Sequence, residues 1–371
     1  MKKAALKSAL ILLPLAMLFG VVRAQDPTAE DQTIDTIRRL SSIGQPDQER
    51  IRQWVQQQVD RLAATKGTRP EPGPSGAEFK KFRQRFLDQF SNTNNTPEFR
   101  AAFAAQTSAV ASTEFAKAEL DPTVSWGLAH ALLDMQRQPE SFAGLSAGLK
   151  ARAPIARYLA ARGLVAQRAV IAADKERLAQ TVQNLRTAAI AETDPTVLGR
   201  LYEALAFVEA PAAAFDAYLA IMDARIAQRR LAPAADGAEI AAYEFFRNPK
   251  VLAALDANQK AELVRRGAVL MRIDAERYRD PSLAPPKDAQ TSDLAFTERE
   301  WLERSLDGAE EILAAVVGEG KGGKIRDAFN AGGYEQREAV VRETYKWVGN
   351  ATTGDKGAAN DAPWNVPVGA P

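Results

Sequence analysis

The chain of 371 residues has no cysteine and a single histidine, and its charges nearly cancel, with 48 Lys and Arg against 47 Asp and Glu. Without cysteine there is no disulfide and no thiol to accept a lipid anchor, so in an oxidising compartment the fold must be held by its core alone. With one histidine, a His-rich metal site is excluded, and any Ser-His-Asp mechanism has to use His130. The near-neutral balance argues against nucleic acid as a partner, for which a net basic domain is expected. No run of alternating Val, Ile or Thr makes a convincing strand.

What is present favours helix. Ala, Leu, Glu, Gln and Arg dominate, all strong helix formers, and an all-α fold follows. The N-terminus reads MKKAALKSALILLPLAMLFGVVRA. Lys2, Lys3 and Lys7 form a positive region, Ala9 to Val22 an apolar core, and Val22-Arg23-Ala24 a small-x-small cleavage site, which together predict a signal peptide over 1–24. The alternative is an uncleaved anchor, but the apolar run is interrupted by Pro14 and falls short of the roughly 20 residues of a membrane span. Cleavage would remove four basic and no acidic residues and move the formal net charge from +1 to −3. The expected product is soluble and exported, periplasmic or extracellular.

Breaks in composition divide the rest. An N-terminal helix pair is expected over 25–66, then a Pro/Gly linker over 67–76, a helical-repeat domain over 77–279, a second linker over 280–290, C-terminal helices over 291–348, and a disordered Gly/Ala/Asn/Pro tail over 349–371. Capping boxes are expected at Ser75 to Glu78, at Asp236 to Glu239 and at Thr297 to Glu300, the last with Phe296 and Trp301 as a hydrophobic staple. Asp256-Ala257-Asn258-Gln259 opens a longer helix to about Tyr278.

One internal echo stands out. DPTVSWGLAHAL from Asp121 and DPTVLGRLYEAL from Asp194 share seven of twelve residues, including Leu128 with Leu201. Each copy reads as a helix start, with Asp as N-cap and Pro at the first helical position. The copies lie 73 residues apart, and an intermediate unit at Pro154 (PIARYLAARGL) gives a period of about 36, near that of two-helix repeats. In this the chain resembles HEAT-like repeats, over residues 121–255 at most. The resemblance implies an irregular α-solenoid of stacked helix pairs; an irregular helical bundle would leave similar apolar stripes.

Four stretches bear on chemistry. Phe79, Phe82, Phe86 and Phe90 fall on one helix face, with Lys80, Lys81, Arg83 and Arg85 elsewhere around it, which suits either a core stripe or contact with a partner or an anionic membrane surface. Gly318 to Ile325 comes within one residue of a phosphate loop, but it follows a helical pattern and lacks the hydroxyl after the lysine, so a glycine helix stop is expected and no cofactor. Pro139-Glu140-Ser141-Phe142, with Ala147-Gly148-Leu149, resembles the catalytic Glu-Ser segment of lytic transglycosylases, without the later Gly-Leu-Met-Gln turn of that family; the resemblance implies Glu140 as the acid of a peptidoglycan-cleaving enzyme. His130 and Asp134, four residues apart, share a helix face as a packed or surface pair. Trp126 and Trp301 fit core positions. The leading expectation is a binding or scaffold module for another protein or a cell-envelope polymer.

Overall fold

The computed structural model describes residues 29–65, 76–232, 234–283, 294–332, 335 and 337–368. The expected signal peptide and nearly all of the linker expected at 67–76 lie outside the described residues, as do 284–290 of the second linker. The described residues are all-α: seventeen helices joined by turns and short 3-10 segments, with no strand among them. Among them, too, no helix is long and apolar enough to cross a membrane.

The N-terminal helices are α1 (Ala29–Ile37), α2 (Gln45–Ala64), α3 (Ala77–Phe90) and α4 (Pro97–Phe115). The echo region holds α5 (Pro122–Asp134), α6 (Phe142–Gly148), α7 (Pro154–Ala166), α8 (Arg168–Ala172), α9 (Lys175–Ala191), α10 (Pro195–Ala204) and α11 (Pro211–Leu231). The C-terminal part holds α12 (Ile240–Phe246), α13 (Pro249–Ala254), α14 (Ala257–Tyr278), α15 (Leu294–Val317), α16 (Ile325–Gly332) and α17 (Arg337–Val348). Proline stands in the first turn of α4, α5, α7, α10, α11 and α13. There its missing N–H costs nothing, because that group has no intrahelical partner.

Packing runs in two rows. In one, α3, α5, α7, α10, α12 and α15 each lie against the next; in the other, α2, α4 and α6 do so, and α9, α11, α14 and α17 continue after α8. The rows meet where α4 touches α5, α6 touches α7, α9 touches α10 and α14 touches α15. Leu128 and Leu201 are both fully buried, each on a helix of the first row. One hydrophobic cluster runs from Ile34 to Val366, so the segments on either side of the two linkers share a continuous core.

Several local expectations are corrected. Residues 349–368 do not form a disordered tail. A 3-10 turn at Ala358–Asn360 packs on α14, α15 and α17, and Ala359 and Val366 are buried. Asn360 Nδ2 donates to the Val366 carbonyl at 2.6 Å, which closes the segment on itself. Leu283, at the start of the second linker, is also buried, on a 3-10 turn at Pro281–Leu283. The helix expected to start after Thr297 is already helical from Leu294, so Thr297 is not its N-cap; the side chains of Phe296 and Thr297 are outside those described. Helix α3 starts at Gly76 without a side-chain cap. Asp236 and Glu239 do not form a capping box either, because both carboxylates turn to Arg225.

Candidate functional site

The two DPTV copies and the unit between them bring three helix starts together. Asp121 Oδ1 accepts from the N–H of Thr123 at 2.8 Å and of Val124 at 3.3 Å. Asp194 Oδ1 accepts from Thr196 at 2.9 Å and Val197 at 3.1 Å, the same pattern at α10. Between them, α7 starts at Ala153 with no side-chain cap. Its start is held instead by Arg157, whose Nη1 donates to the carbonyls of Ala151 and Arg152. The same guanidinium makes a two-pronged pair with Glu192, at 2.6 and 2.7 Å, in the loop before α10. Burial pushes the Glu192 carboxyl up, but Arg157 and the N–H groups of Asp194 and Thr193 outweigh it and hold it below the usual range. A buried, charge-assisted link of this kind fixes α7 against α10.

Across these starts runs a groove of about 500 Å³. Pro122 and Trp126 line it from α5, Pro154, Ile155 and Tyr158 from α7, and Val197 from α10, with Asp194 as the one charged group. Trp126 is half-buried rather than a core residue. Its ring packs against Phe79 at 5.8 Å and His130 at 6.5 Å, while its Nε1 is buried without a hydrogen-bond partner. Tyr158 is held by Arg200, whose guanidinium lies 5.0 Å from the ring centre and donates to the phenol oxygen at 2.9 Å. The groove therefore offers fixed apolar and aromatic surface, while the Trp126 Nε1 is itself buried. It can bind an apolar group, and Tyr158, Asp194 and Thr196 are among its polar lining residues.

The residues singled out in the sequence are dispersed. Phe79, Phe82 and Phe86 are at most 4% exposed and Phe90 is half-buried, so the stripe faces the core. Glu140 is exposed on a one-turn 3-10 segment. Its neighbour Ser141 is buried, donating to the Gln138 carbonyl and accepting from Gln167. Asp134 pairs with Arg83 at 3.3 Å rather than acting with His130, which packs edge-on to Phe79. At the glycine-rich turn, the Glu310 carboxylate of α15 accepts from the N–H groups of Ile325 and Arg326, at 2.7 and 3.0 Å. It thus fills the helix start that a phosphate would need. The glycines serve packing: a Cβ on Gly323 would fall 1.9 Å from the Glu343 carbonyl oxygen, and one on Gly322 would fall 2.0 Å from Trp347.

Sequence reasoning missed Ile155, Tyr158 and Val197 as a shared surface and placed Trp126 in the core. A signal was there, since Trp126 and Tyr158 each lie four residues after the proline that starts their helix. Also missed was a buried ionic cluster. Arg229 pairs with Asp274 at 2.6 Å, Ser305 donates to Asp274, and Arg225 holds Glu239 and Asp236. Burial pushes the Asp274 carboxyl up against the pull of Arg229 and Ser305; burial pushes Glu239 up too, but Arg225 and Arg229 outweigh it and hold it down. The cluster ties α11 to α14, α15 and the loop before α12, and its groups are spent on one another, which makes it a structural clamp. No family model, curated protein or solved structure matches the chain.

Proposed function

We propose that the protein is an exported, non-enzymatic helical-repeat module, an irregular HEAT-like solenoid of stacked helix pairs, that binds an apolar segment of another protein. The observation that carries this reading is the groove across the starts of α5, α7 and α10, where Trp126, Ile155, Tyr158 and Val197 face one space. Stacked helix pairs build such surfaces because equivalent positions of successive units line up. A protein segment suits the groove better than an envelope glycan. Sugars need an array of donors and acceptors, whereas this surface is mainly apolar, which matches an aliphatic or proline side chain of a peptide.

The test is selection of a displayed random-peptide library on the full chain, followed by affinity measurement against Ile155→Asp. Position 155 is half-buried in the first turn of α7, where an acid is tolerated by the helix dipole, so the variant should keep its helical content. Apolar or proline-containing peptides should be enriched and should bind the variant about tenfold or more weakly, equivalent to at least about 1.4 kcal/mol. Peptides that bind both forms alike, or a library that yields no enrichment, would remove the groove from this role.

A further inference from the structure

The two rows of helices are not equally continuous. In the second row α2, α4 and α6 pack in succession, but between α6 and α9 the chain inserts α8, only five residues long. The first row runs on without a break. Among the described residues, α7 against α10 is therefore the one broad helix-to-helix contact between the helices up to α7 and those from α9 onward. A single contact of this kind is a place where two packed halves can turn against each other. The apolar groove lies astride it, with Trp126, Ile155 and Tyr158 on one side and Val197 on the other. Its width follows the angle between the halves.

Two arginines cross this joint in opposite directions. Arg157 of α7 reaches the loop before α10, where its Nε and Nη2 donate to the two oxygens of Glu192 at 2.6 and 2.7 Å. The Glu192 side chain is 0% exposed, and its Oε1 also accepts from the N–H groups of Thr193 and Asp194, both at 2.9 Å. The chain then passes directly into Asp194, which caps α10 at Thr196 and Val197. In return, Arg200 of α10 lies 5.0 Å from the Tyr158 ring centre and donates to its phenol oxygen at 2.9 Å. Arg200 also pairs with Glu203, one turn on. Each arginine starts on one wall of the groove and ends on the other.

We propose that Arg157 and Arg200 are the positioning residues of the groove: they latch the α7–α10 joint and so hold Ile155 and Tyr158 at a fixed width from Val197. Two latches of opposite direction resist sliding as well as opening. Fixed width matters because dispersion contact is short-ranged, and a gap of roughly 0.5–1 Å forfeits about a quarter to a half of it. The consequence for binding rests on the proposed function of the groove as a peptide site; the latching itself does not.

Hydrogen–deuterium exchange and peptide affinity, both on the full chain, test the two separately. Tyr158→Phe keeps the ring in the groove and removes only the acceptor for Arg200. Glu192→Gln keeps an acceptor for Thr193 and Asp194 and removes the charge that draws Arg157. In both variants the amides of residues 193–198 should exchange about tenfold faster or more, while those of α2 and α14 exchange as in the native chain. A library-selected peptide should bind both about fivefold or more weakly, although each keeps the apolar lining. Arg200→Met should weaken it by the same factor as Tyr158→Phe, and the double variant by no more than either, because the two side chains act through one contact. Unchanged exchange at 193–198 would overturn the latching whether or not a peptide is found, and so would acceleration spread evenly over α2 and α14. Peptide affinity equal to that of the native chain would overturn the positioning role, and losses that multiply in the double variant would overturn that of Arg200. If the library yields no peptide, the proposed function of the groove fails, while the exchange result still decides the latches.

Discussion

His130 shows how much one side chain's surroundings decide. Its imidazole lies against the rings of Phe79 and Trp126. Burial, aided by Arg83 and Arg162 and only partly opposed by Asp134, lowers its pKa below the ordinary 6.5. In the unfolded chain the group returns to that ordinary value. Below about pH 6.5 the unfolded chain therefore takes up the proton first, and stability falls as pH drops through the window between the two values; above it neither state is charged and the contribution is flat. Because this is the only histidine, its ring resonance in a proton NMR titration is unambiguous. The midpoint should lie below 6.5, and a midpoint at or above that value would show that the ring is not buried as described. The pairing with Asp134 suggested by their spacing did not form, because Arg83 reaches the carboxylate from α3, a contact that spacing within one helix cannot reveal.

At the scale of the helix, the DPTV echo was legible because its chemistry is local. Asp121 and Asp194 cap the helices that their sequences announce, and Asp256 with Gln259 forms a full capping box at α14. Replacing either Asp121 or Asp194 by Ala should cost about 0.5–2 kcal/mol, by similar amounts for the two. Ala153 has the extended backbone of an N-cap and no acceptor, so Ala153→Ser should raise stability by up to about 1 kcal/mol. Urea unfolding of the three variants checks all of this, and a large inequality between the two Asp variants would argue against equivalent positions. Where the same residue types failed as signals, a distant group had claimed them. Arg225 takes Asp236 and Glu239, and Glu310 caps α16, a helix hidden behind its glycine-rich approach. The groove was partly legible, since proline-to-aromatic spacing repeats at Trp126 and Tyr158, but its third wall at Val197 depends on how α7 and α10 pack.

For the whole molecule, the C-terminal segment decides where the core ends. Its composition, rich in Gly, Ala, Asn and Pro, reads as disorder because it carries few apolar residues. The few it has are placed against a prepared surface. Ala359 and Val366 are buried, Trp364 packs against the core from a half-buried position, and Asn360 serves as both donor to Val366 and acceptor from Gly357. Arg272 of α14 donates to the Val348 carbonyl, at the point where the segment leaves α17. Removing residues from Gly349 onward would uncover Val348 and the adjoining faces of α14, α15 and α17. The lost burial of Val366 alone is worth about 1.5–3 kcal/mol, and the lost contacts of Ala359 and Trp364 add to it. Truncation at Gly349 should therefore lower stability by about 2–4 kcal/mol in urea unfolding. A neutral result for the truncation would mean that the core closes at α17 and that the segment contributes nothing to it.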